Sequence, residues 1–280
     1  MPLIIKEIIS GIWDSKNYFL YFSVLFLCIL FFAALLADLI IPYEIERMDV
    51  AFRLKPPSVE HLLGTDNYGR DILSRVIMGS RVSLIIGISV SVLSSFAGTF
   101  LGMTSALIRR ADNLIMRFLD GLMAFPTTIL AIALVAVFGA GLWQEIIALS
   151  LVFSPRTARI MRGVCLELKE SEYVQAAIIS GGSTIYIALS HILRNGFGPL
   201  LVQATFVLAR AIIIDAGLSF LGLGVPPPEP TWGNMLGDAR GYIAHAWWFI
   251  AFPGVALLLT VMSINVLGDN LRDILDPRTQ

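Results

Sequence analysis

The sequence predicts an all-α fold, that of a polytopic membrane protein with six transmembrane helices. Of its 280 residues, 56% are hydrophobic and only 15% are charged, whereas a soluble domain carries about 25% charged residues. The apolar residues form long blocks, and a helix that crosses a bilayer needs about 20 such residues in succession. The mean hydropathy of +0.79 agrees with this class. The net charge of −1 gives no argument for nucleic-acid binding.

The predicted spans follow one another from the amino end. The first block comes after Lys6 and Lys16. It is longer than the apolar region of about 7–15 residues in a cleaved signal peptide, so we interpret it as an uncleaved helix. The later blocks are also long enough to be predicted as membrane-spanning helices. The six blocks occupy residues 18–41, 83–108, 117–138, 142–163, 199–221 and 247–268.

Three of the predicted spans contain small, proline or basic residues that indicate how each helix packs or ends. Gly98 and Gly102 form a small-xxx-small pair in the second span, which indicates either ordinary helix packing or a helix that lines a pathway. The third span contains Pro126, which a membrane helix tolerates if neighbours bond the freed carbonyl. The fourth ends in a basic face that suits a helix leaving the membrane among anionic headgroups. This face consists of Arg156, Arg159 and Arg162.

The distribution of basic residues predicts that both chain termini are cytoplasmic. Lysine and arginine are more frequent in the segments that this topology places inside. The chain is then divided into three parts. Residues 1–82 hold the first helix and an external loop, residues 83–268 hold the five-span core, and residues 269–280 form a cytoplasmic tail.

A polar elbow at residues 170–195 interrupts the core between two apolar spans. Glu170 and Glu172 suit a helix start, where acidic groups complement the helix dipole. Gly181-Gly182 predicts a break, and Ser183 can cap the helix that follows. The first helix has a small-residue face formed by Tyr173, Ala176, Ala177 and Ser180, and the second is expected to place Ile185, Leu189, Ile192 and Leu193 on one side. Such an elbow could insert into a groove on another protein, or lie on the membrane as a plain interfacial helix pair.

The chain shows no pattern typical of catalysis or metal binding. It contains no G-x-x-x-x-G-K-[ST] phosphate loop, no H-E-x-x-H and no Ser/His/Asp set. Cys28 and Cys165 are read as core or lipid-facing residues rather than a disulfide, and the three histidines are scattered. We therefore expect no catalytic residue, no metal site and no cofactor in this chain.

Charged and aromatic residues in and near the predicted spans suggest contacts with protein, water or the membrane interface. Arg210 and Asp215 lie inside the fifth span, where an isolated charge is unfavourable, so both must face protein or water. They either line a substrate pathway or bind neighbouring helices. Arg117 and Asp120 are read as a local ion pair or a packing anchor. An outer interfacial belt is expected to contain Trp232, Trp247 and Trp248.

Five stretches of the sequence resemble one transporter family. "YVQAAIISGGS…HILRN" resembles the EAA loop of ABC-importer inner-membrane subunits, whose consensus is E-A-A-x-x-x-G followed by I-x-L-P or I-L-P. Gln175 and Arg194 depart from that consensus. "HLLGTDNYGRDILSRVIMGSRVSL", "MRFLDGLMAFP", "LSFLGLGVPPPEPTWGNMLGDARGYI" and "NVLGDNLRDILDPR" match in the same order. The chain resembles, over residues 18–278, the C-type permease of a dipeptide, oligopeptide or nickel ABC importer.

The resemblance implies a type I ABC-importer permease fold in a bacterial inner membrane. It implies a heterodimer with a B-type permease, two cytoplasmic ATPases that bind ATP and Mg, an extracytoplasmic solute-binding protein that delivers cargo, and surrounding membrane lipid. ATPase coupling falls on the elbow residues Glu172, Tyr173, Gln175, Ala176, Ala177, Gly181, Gly182 and Ser183.

Three other functions remain as alternatives. A nickel or metal-chelate importer belongs to the same family and would need no thiol or histidine cluster for a chelated cargo. An ion-driven secondary transporter would show internal inverted repeats, which the sequence does not display. A membrane-embedded enzyme would need a catalytic constellation, and none is present.

Overall fold

The computed structural model describes residues 18–275, so the expectations for Lys6, Lys16 and the last residues of the tail lie outside this part. The described chain is helical, apart from one isolated bridge between Thr65 and Asp71 and the connecting loops. In chain order its helices are α1 (Tyr18–Leu35), α2 (Ala37–Ile40), a 3₁₀ turn (Val50–Phe52), α3 (Ile72–Leu107), α4 (Arg109–Met123), α5 (Thr127–Phe138), α6 (Leu142–Lys169), α7 (Glu172–Ile179), α8 (Thr184–Leu193), α9 (Phe197–Phe220), α10 (Trp232–Ala239) and α11 (Trp247–Leu275).

Within residues 18–275, four helices are long and apolar enough to cross a membrane. These are α1, α3, α9 and α11, and the bent pair α4–α5 makes a fifth if it counts as one span. α6 has 28 residues, which is sufficient length, but Glu145, Arg156 and Arg159 interrupt its apolar sequence. The structure therefore supports a multi-pass helical bundle with four or five spans by composition alone.

The continuous third span predicted over residues 117–138 is wrong. α4 ends at Met123, α5 begins at Thr127, and the two helices are bent by 96°. Pro126 precedes the first residue of α5 with φ −55° and ψ 132°. It lacks an N–H, and its ring disfavours helical geometry at the residue before it, so the first helix stops and a new one starts.

Two further boundaries differ from the prediction. α3 begins at Ile72 rather than near residue 83, because Asp71 caps it: the Asp71 Oδ2 accepts hydrogen bonds from the Ser74 N–H at 2.8 Å and the Ser74 Oγ at 2.7 Å. The predicted external loop thus ends at residue 71. α11 continues to Leu275, so the first half of the predicted tail extends the last helix.

The core of the bundle is the packing of α3 against α6 and α9. A Cβ atom at Gly98 would lie 2.5 Å from the Thr157 Cβ, and one at Gly102 would lie 2.4 Å from the Ala158 carbonyl oxygen. These glycines therefore let the α3 and α6 backbones approach closely. The structure supports the packing interpretation of this small-residue pair.

A buried polar cluster closes the end of the bundle opposite the elbow. Asp66, which is fully buried, accepts a 2.6 Å hydrogen bond from the Arg70 Nε and lies 3.7 Å from the Arg75 Nε. Arg70 also reaches Asp238 at 3.6 Å. Partial burial raises the pKa of Asp238, an effect that the nearby Arg70 and Arg75 oppose. The cluster ties the 42–71 loop to α3 and α10.

Two of the three tryptophans predicted for an interfacial belt belong to the core instead. Trp232 is fully buried and its Nε1 donates to the Val76 carbonyl at 3.1 Å. Trp248 is buried and donates to the Thr65 carbonyl at 3.3 Å. Each indole N–H has thus found a partner inside the protein. Trp247 alone is exposed, as the belt requires.

Candidate functional site

The elbow consists of α7, a tight turn and α8, and it connects α6 to α9. α6 ends at Lys169 and α9 begins at Phe197, so the elbow is joined to both helices by short connections. α7 buries Val174 in an apolar cluster at the elbow end of the bundle, called the inner cluster here, which also contains Met103, Met161, Cys165 and Ile192. Its opposite side is open, and Ile179 is 84% exposed. The elbow thus presents a partly apolar surface at one end of the molecule, and Ile179 is a feature that the family consensus does not mark.

The turn between α7 and α8 depends on its two glycines, as predicted. Gly181 has φ +84°, a left-handed conformation that side chains disfavour, and no atom would contact a Cβ added there. A Cβ on Gly182 would lie 2.8 Å from the Ala177 carbonyl oxygen. The Ser183 Oγ accepts a hydrogen bond from the Tyr186 N–H at 3.2 Å and so caps α8.

Gln175 has a specific role in holding α7. Its Nε2 donates a 2.8 Å hydrogen bond to the Lys169 carbonyl oxygen at the end of α6. The last carbonyls of a helix lack partners within the helix, so this bond completes the α6 terminus and fixes the α6–α7 angle. A carboxylate at position 175 could not donate it. Glu170, predicted at the start of the elbow helix, instead terminates α6, and only Glu172 lies in the first turn of α7.

Tyr173 is tied to the helix that follows the turn. Its hydroxyl accepts a 3.0 Å hydrogen bond from the Asn195 Nδ2, and its ring lies 5.9 Å from the His191 ring. Tyr186 also packs against His191, at 5.5 Å between ring centroids. These aromatic contacts connect the two arms of the elbow. Ala176 is exposed, while Ala177 packs partly against the inner cluster.

α8, the second arm of the elbow, does not place its apolar residues on one side as predicted. Residues Ile187–Leu193 form a π-helix, which has more residues per turn than an α-helix and shifts the faces. Ile192 is fully buried, whereas Ile185 and Leu189 are exposed. They line an apolar groove against α3. The predicted stripe is therefore divided between two surfaces.

Two ion pairs join the amphipathic helix α4 to α6 near the elbow. The Arg162 Nε and Nη2 each donate a 2.7 Å hydrogen bond to the Asp112 carboxylate, which also accepts one from the Ser105 hydroxyl. Asp120 binds Arg159 at 2.6 Å. Of the two alternatives predicted for Arg117 and Asp120, the local ion pair is wrong, because the basic face of α6 supplies the partner of Asp120, and the packing anchor is the alternative that Asp120 fits.

Asp215 lies in the interior of the bundle. It is fully buried on α9, where it accepts hydrogen bonds from the Ser83 Oγ at 3.1 Å and the Ser219 Oγ at 3.2 Å. Glu145 on α6, also fully buried, places a second carboxyl group next to that of Asp215. Neither carboxyl oxygen of Glu145 has a hydrogen-bond partner among the described residues. Glu145 is not among the predicted site residues, although an acidic residue inside an apolar span is a signal for such a site.

Arg210 has the opposite environment. It is exposed on α9, and within residues 18–275 it takes part in no ion pair. A charged side chain in a span is unfavourable against lipid, so this face of α9 must meet water or another chain. A cavity of about 480 Å³ with a mixed polar and apolar lining lies closer to the elbow, between α6, α9 and α11, and its polar lining residues include Arg156, Gln203 and Arg272.

The described residues offer no metal site. Among residues 18–275, no group of three or more His, Cys, Asp or Glu side chains is arranged to hold a metal ion. Cys28 is exposed, Cys165 is buried, and both are free thiols.

Comparisons with known proteins identify the family. The model of the family described as "Binding-protein-dependent transport system inner membrane component" matches residues 71–280. The chain is 48% identical over 252 residues to a putative peptide transport system permease protein of Brucella suis biovar 1 (strain 1330), with 90% of this chain and 85% of the relative covered.

Two further relatives have more specific names. The chain is 43% identical to a di/tripeptide transport system permease protein of Pseudomonas aeruginosa (strain UCBPP-PA14), covering 91% of this chain and 87% of the relative. It is 40% identical to a probable D,D-dipeptide transport system permease protein of Escherichia coli (strain K12), covering 91% and 85%. The chain therefore belongs to the binding-protein-dependent inner-membrane transport components, as an ABC-importer permease of the C-type peptide family.

Proposed function

We propose that this chain forms half of the translocation pathway of an ATP-driven importer of di- or oligopeptides. In this proposal it pairs with a B-type permease, receives cargo from an extracytoplasmic binding protein and is driven by two cytoplasmic ATPases. It performs no chemistry and binds neither ATP nor Mg itself. The names of the relatives support the cargo class.

The elbow is the proposed coupling element. The observation that carries this is its placement: α7 and α8 form the connection between α6 and α9, with one side packed on the bundle and the other open. Glu172, Ala176, Gly181 and the apolar Ile179 lie on the open side. A helix with an exposed apolar residue at its end can enter a groove on a partner. Tyr173, Gln175, Ala177, Gly182 and Ser183 give the elbow its shape.

The proposed topology includes α6 as the sixth span. One face of its apolar half packs against α3, α5 and α9, and Glu145 is buried on that face, so this carboxyl group does not meet lipid. Its basic half bears Arg159 and Arg162, which are satisfied by acidic residues of α4. Six spans place both termini on the elbow side, which is the cytoplasmic side of the inner membrane in this proposal.

Arg210 is the stronger of the two proposed pathway residues. It is exposed on α9 at the level of the span, whereas Asp215 is enclosed by α3 and α6. Asp215 would reach cargo only if α6 and α9 separated during transport. Peptide cargo carries a carboxylate, and a guanidinium is well suited to bind it.

Site-specific photo-crosslinking tests the coupling proposal. A photoreactive residue at Ala176 or Ile179 should crosslink to a nucleotide-binding subunit in membranes that contain the assembled importer. The same residue at Val59, which is 96% exposed at the opposite end of the bundle, should not. Absence of the elbow crosslink, or import that continues when ATP is depleted, would contradict the proposal.

Competition in the uptake assay tests the cargo. Labelled dipeptide uptake should be reduced by excess unlabelled peptide and unaffected by nickel or a nickel chelate. The reverse result would assign the chain to the metal branch of the family.

A further inference from the structure

An apolar groove lies between α3 and the elbow. Its exposed surface is almost wholly apolar, and its volume of about 350 Å³ falls within the range of about 300–1,000 Å³ of small-molecule sites. Phe96, Phe100 and Met103 of α3 form one wall, and Ile185 and Leu189 of α8 form the other. Most of these side chains are exposed, so an apolar occupant would remove a large area from water or loose lipid contact.

Two arginines follow the α3 side of the groove in the sequence. On that side the lining extends to Ile108, and Arg109 and Arg110 are the next two residues. Both arginines are exposed, and in the part of the chain that the structure describes neither is in an ion pair. Two exposed arginines next in sequence to an apolar groove are complementary to a molecule with an apolar body and an anionic head.

The start of α4 adds to this positive charge. α4 begins at Arg109, so its free N–H groups and the positive end of its dipole lie at the same place. The acidic residue of its first turn, Asp112, is already bound to Arg162 and Ser105. It therefore offers little competition for the two arginines.

We propose that this groove binds one anionic phospholipid from the leaflet on the elbow side, with an acyl chain between α3 and α8 and the phosphate at Arg109 and Arg110. Basic residues at the membrane surface attract anionic headgroups. Because Ile185 and Leu189 belong to the elbow, the bound chain holds α8 against α3. The lipid is thus part of the support of the elbow. This site does not depend on the cargo or on the proposed coupling.

Native mass spectrometry of the full chain, purified in detergent and titrated with defined lipids, tests the site. Wild-type protein should bind phosphatidylglycerol about 25-fold more tightly than phosphatidylcholine, since each of the two arginines near an anionic headgroup contributes about a factor of five. The double variant Arg109→Gln/Arg110→Gln should lose this preference while it still binds phosphatidylcholine. Inorganic phosphate at the same concentration should not displace the lipid, because it lacks the acyl chain.

A second variant and a matched control separate the groove from general charge effects. Thr99→Trp fills the groove and should weaken the binding of both lipids. Arg53→Gln/Arg240→Gln removes two exposed arginines at the opposite end and should leave binding unchanged. Equal affinity of the wild type for the two lipids would overturn the proposal, as would a preference that survives Arg109→Gln/Arg110→Gln. Lipid binding that occurs only after deletion of residues 2–17 would assign the groove to that segment of the chain instead.

Discussion

Arg162 on α6 donates two parallel hydrogen bonds, each 2.7 Å long, to the carboxylate of Asp112 on α4. This bidentate pair fixes the amphipathic helix against the helix that leads into the elbow. Bidentate arginine–carboxylate pairs are stronger and more directional than single contacts. The base of the elbow is therefore held by two elements that are far apart in the sequence.

Removal of the Asp112 carboxylate should destabilise the bundle. Asp112→Ala leaves Arg162 and Ser105 without their acceptor, and the free energy of unfolding should fall by about 1–2 kcal/mol. Thermal unfolding in detergent measures this. The matched control is Asp120→Ala. The pair of Asp120 with Arg159 is exposed on both sides, so this substitution should lower the free energy of unfolding by about 0.5 kcal/mol or less. Equal effects of the two substitutions would contradict this account.

For the two buried carboxyl groups of Glu145 and Asp215, we predict that substitutions have opposite effects on the stability of the protein. Glu145→Gln supplies an amide N–H that can donate to Asp215, so stability should rise by about 1 kcal/mol. Asp215→Ala leaves the Ser83 and Ser219 hydroxyls without their acceptor and should lower stability by about 1–3 kcal/mol. Unfolding midpoints measured side by side distinguish the two, and a destabilised Glu145→Gln would refute the pairing.

Close helix packing predicts that a buried and an exposed helical glycine differ in their tolerance to substitution. Gly98→Val places side-chain atoms into Thr157 of α6 and should cost about 1–3 kcal/mol or more through overpacking. Gly163→Ala has nothing within 4 Å of its new Cβ and should be neutral or stabilising by up to about 1 kcal/mol, since alanine favours the helix. Expression in the membrane and unfolding temperature report both effects. A tolerated valine at position 98 would exclude the tight α3–α6 contact.

The conformation of Gly181 predicts how the elbow responds to mutation. Gly181→Val should abolish peptide uptake while the protein still inserts, because a β-branched residue is strained at φ +84°. Gly181→Asn should retain most of the uptake, since asparagine tolerates the left-handed region. Transport by cells, normalised to the amount of membrane-inserted protein, is the measurement. Full activity of the valine variant would show that the turn does not transmit force.

Arg210 should be required for transport and dispensable for folding. Arg210→Leu should reduce the uptake of peptides with a free carboxyl terminus at least about tenfold, the loss expected when one charge-assisted hydrogen bond is removed. Arg210→Lys should retain part of the peptide uptake. Co-purification of the partner permease serves as the second measurement. If the leucine variant fails to assemble, Arg210 binds the partner rather than the cargo.

The sequence predicted the local features of the elbow because their causes are local. A Gly-Gly pair permits a left-handed turn, and a serine after it caps the next helix, whatever the rest of the fold does. The faces of α8 were predicted incorrectly because the residues Ile187–Leu193 adopt a π-helix. The periodicity of an α-helix was assumed, and the true register depends on how the segment packs against α3 and α6.

The partners of charged residues and the burial of aromatic residues could not be predicted from the sequence, because they depend on contacts between helices. Asp120 binds Arg159 rather than Arg117, and Trp232 is buried rather than interfacial. In each case the deciding neighbour lies on another helix. Sequence spacing identifies which residues share a face of one helix, but not which helix that face meets.

By itself, the sequence determined the helical membrane class, the polar elbow with its glycine break and the transporter family. These follow from composition, apolar block length and motif order, which are properties of the chain alone. Only the tertiary structure decided that α4 and α5 are separate helices, that Asp215 lies beside Glu145, and that a groove separates α3 from α8. These depend on the relative positions of helices, which are set by side-chain packing between segments distant in sequence.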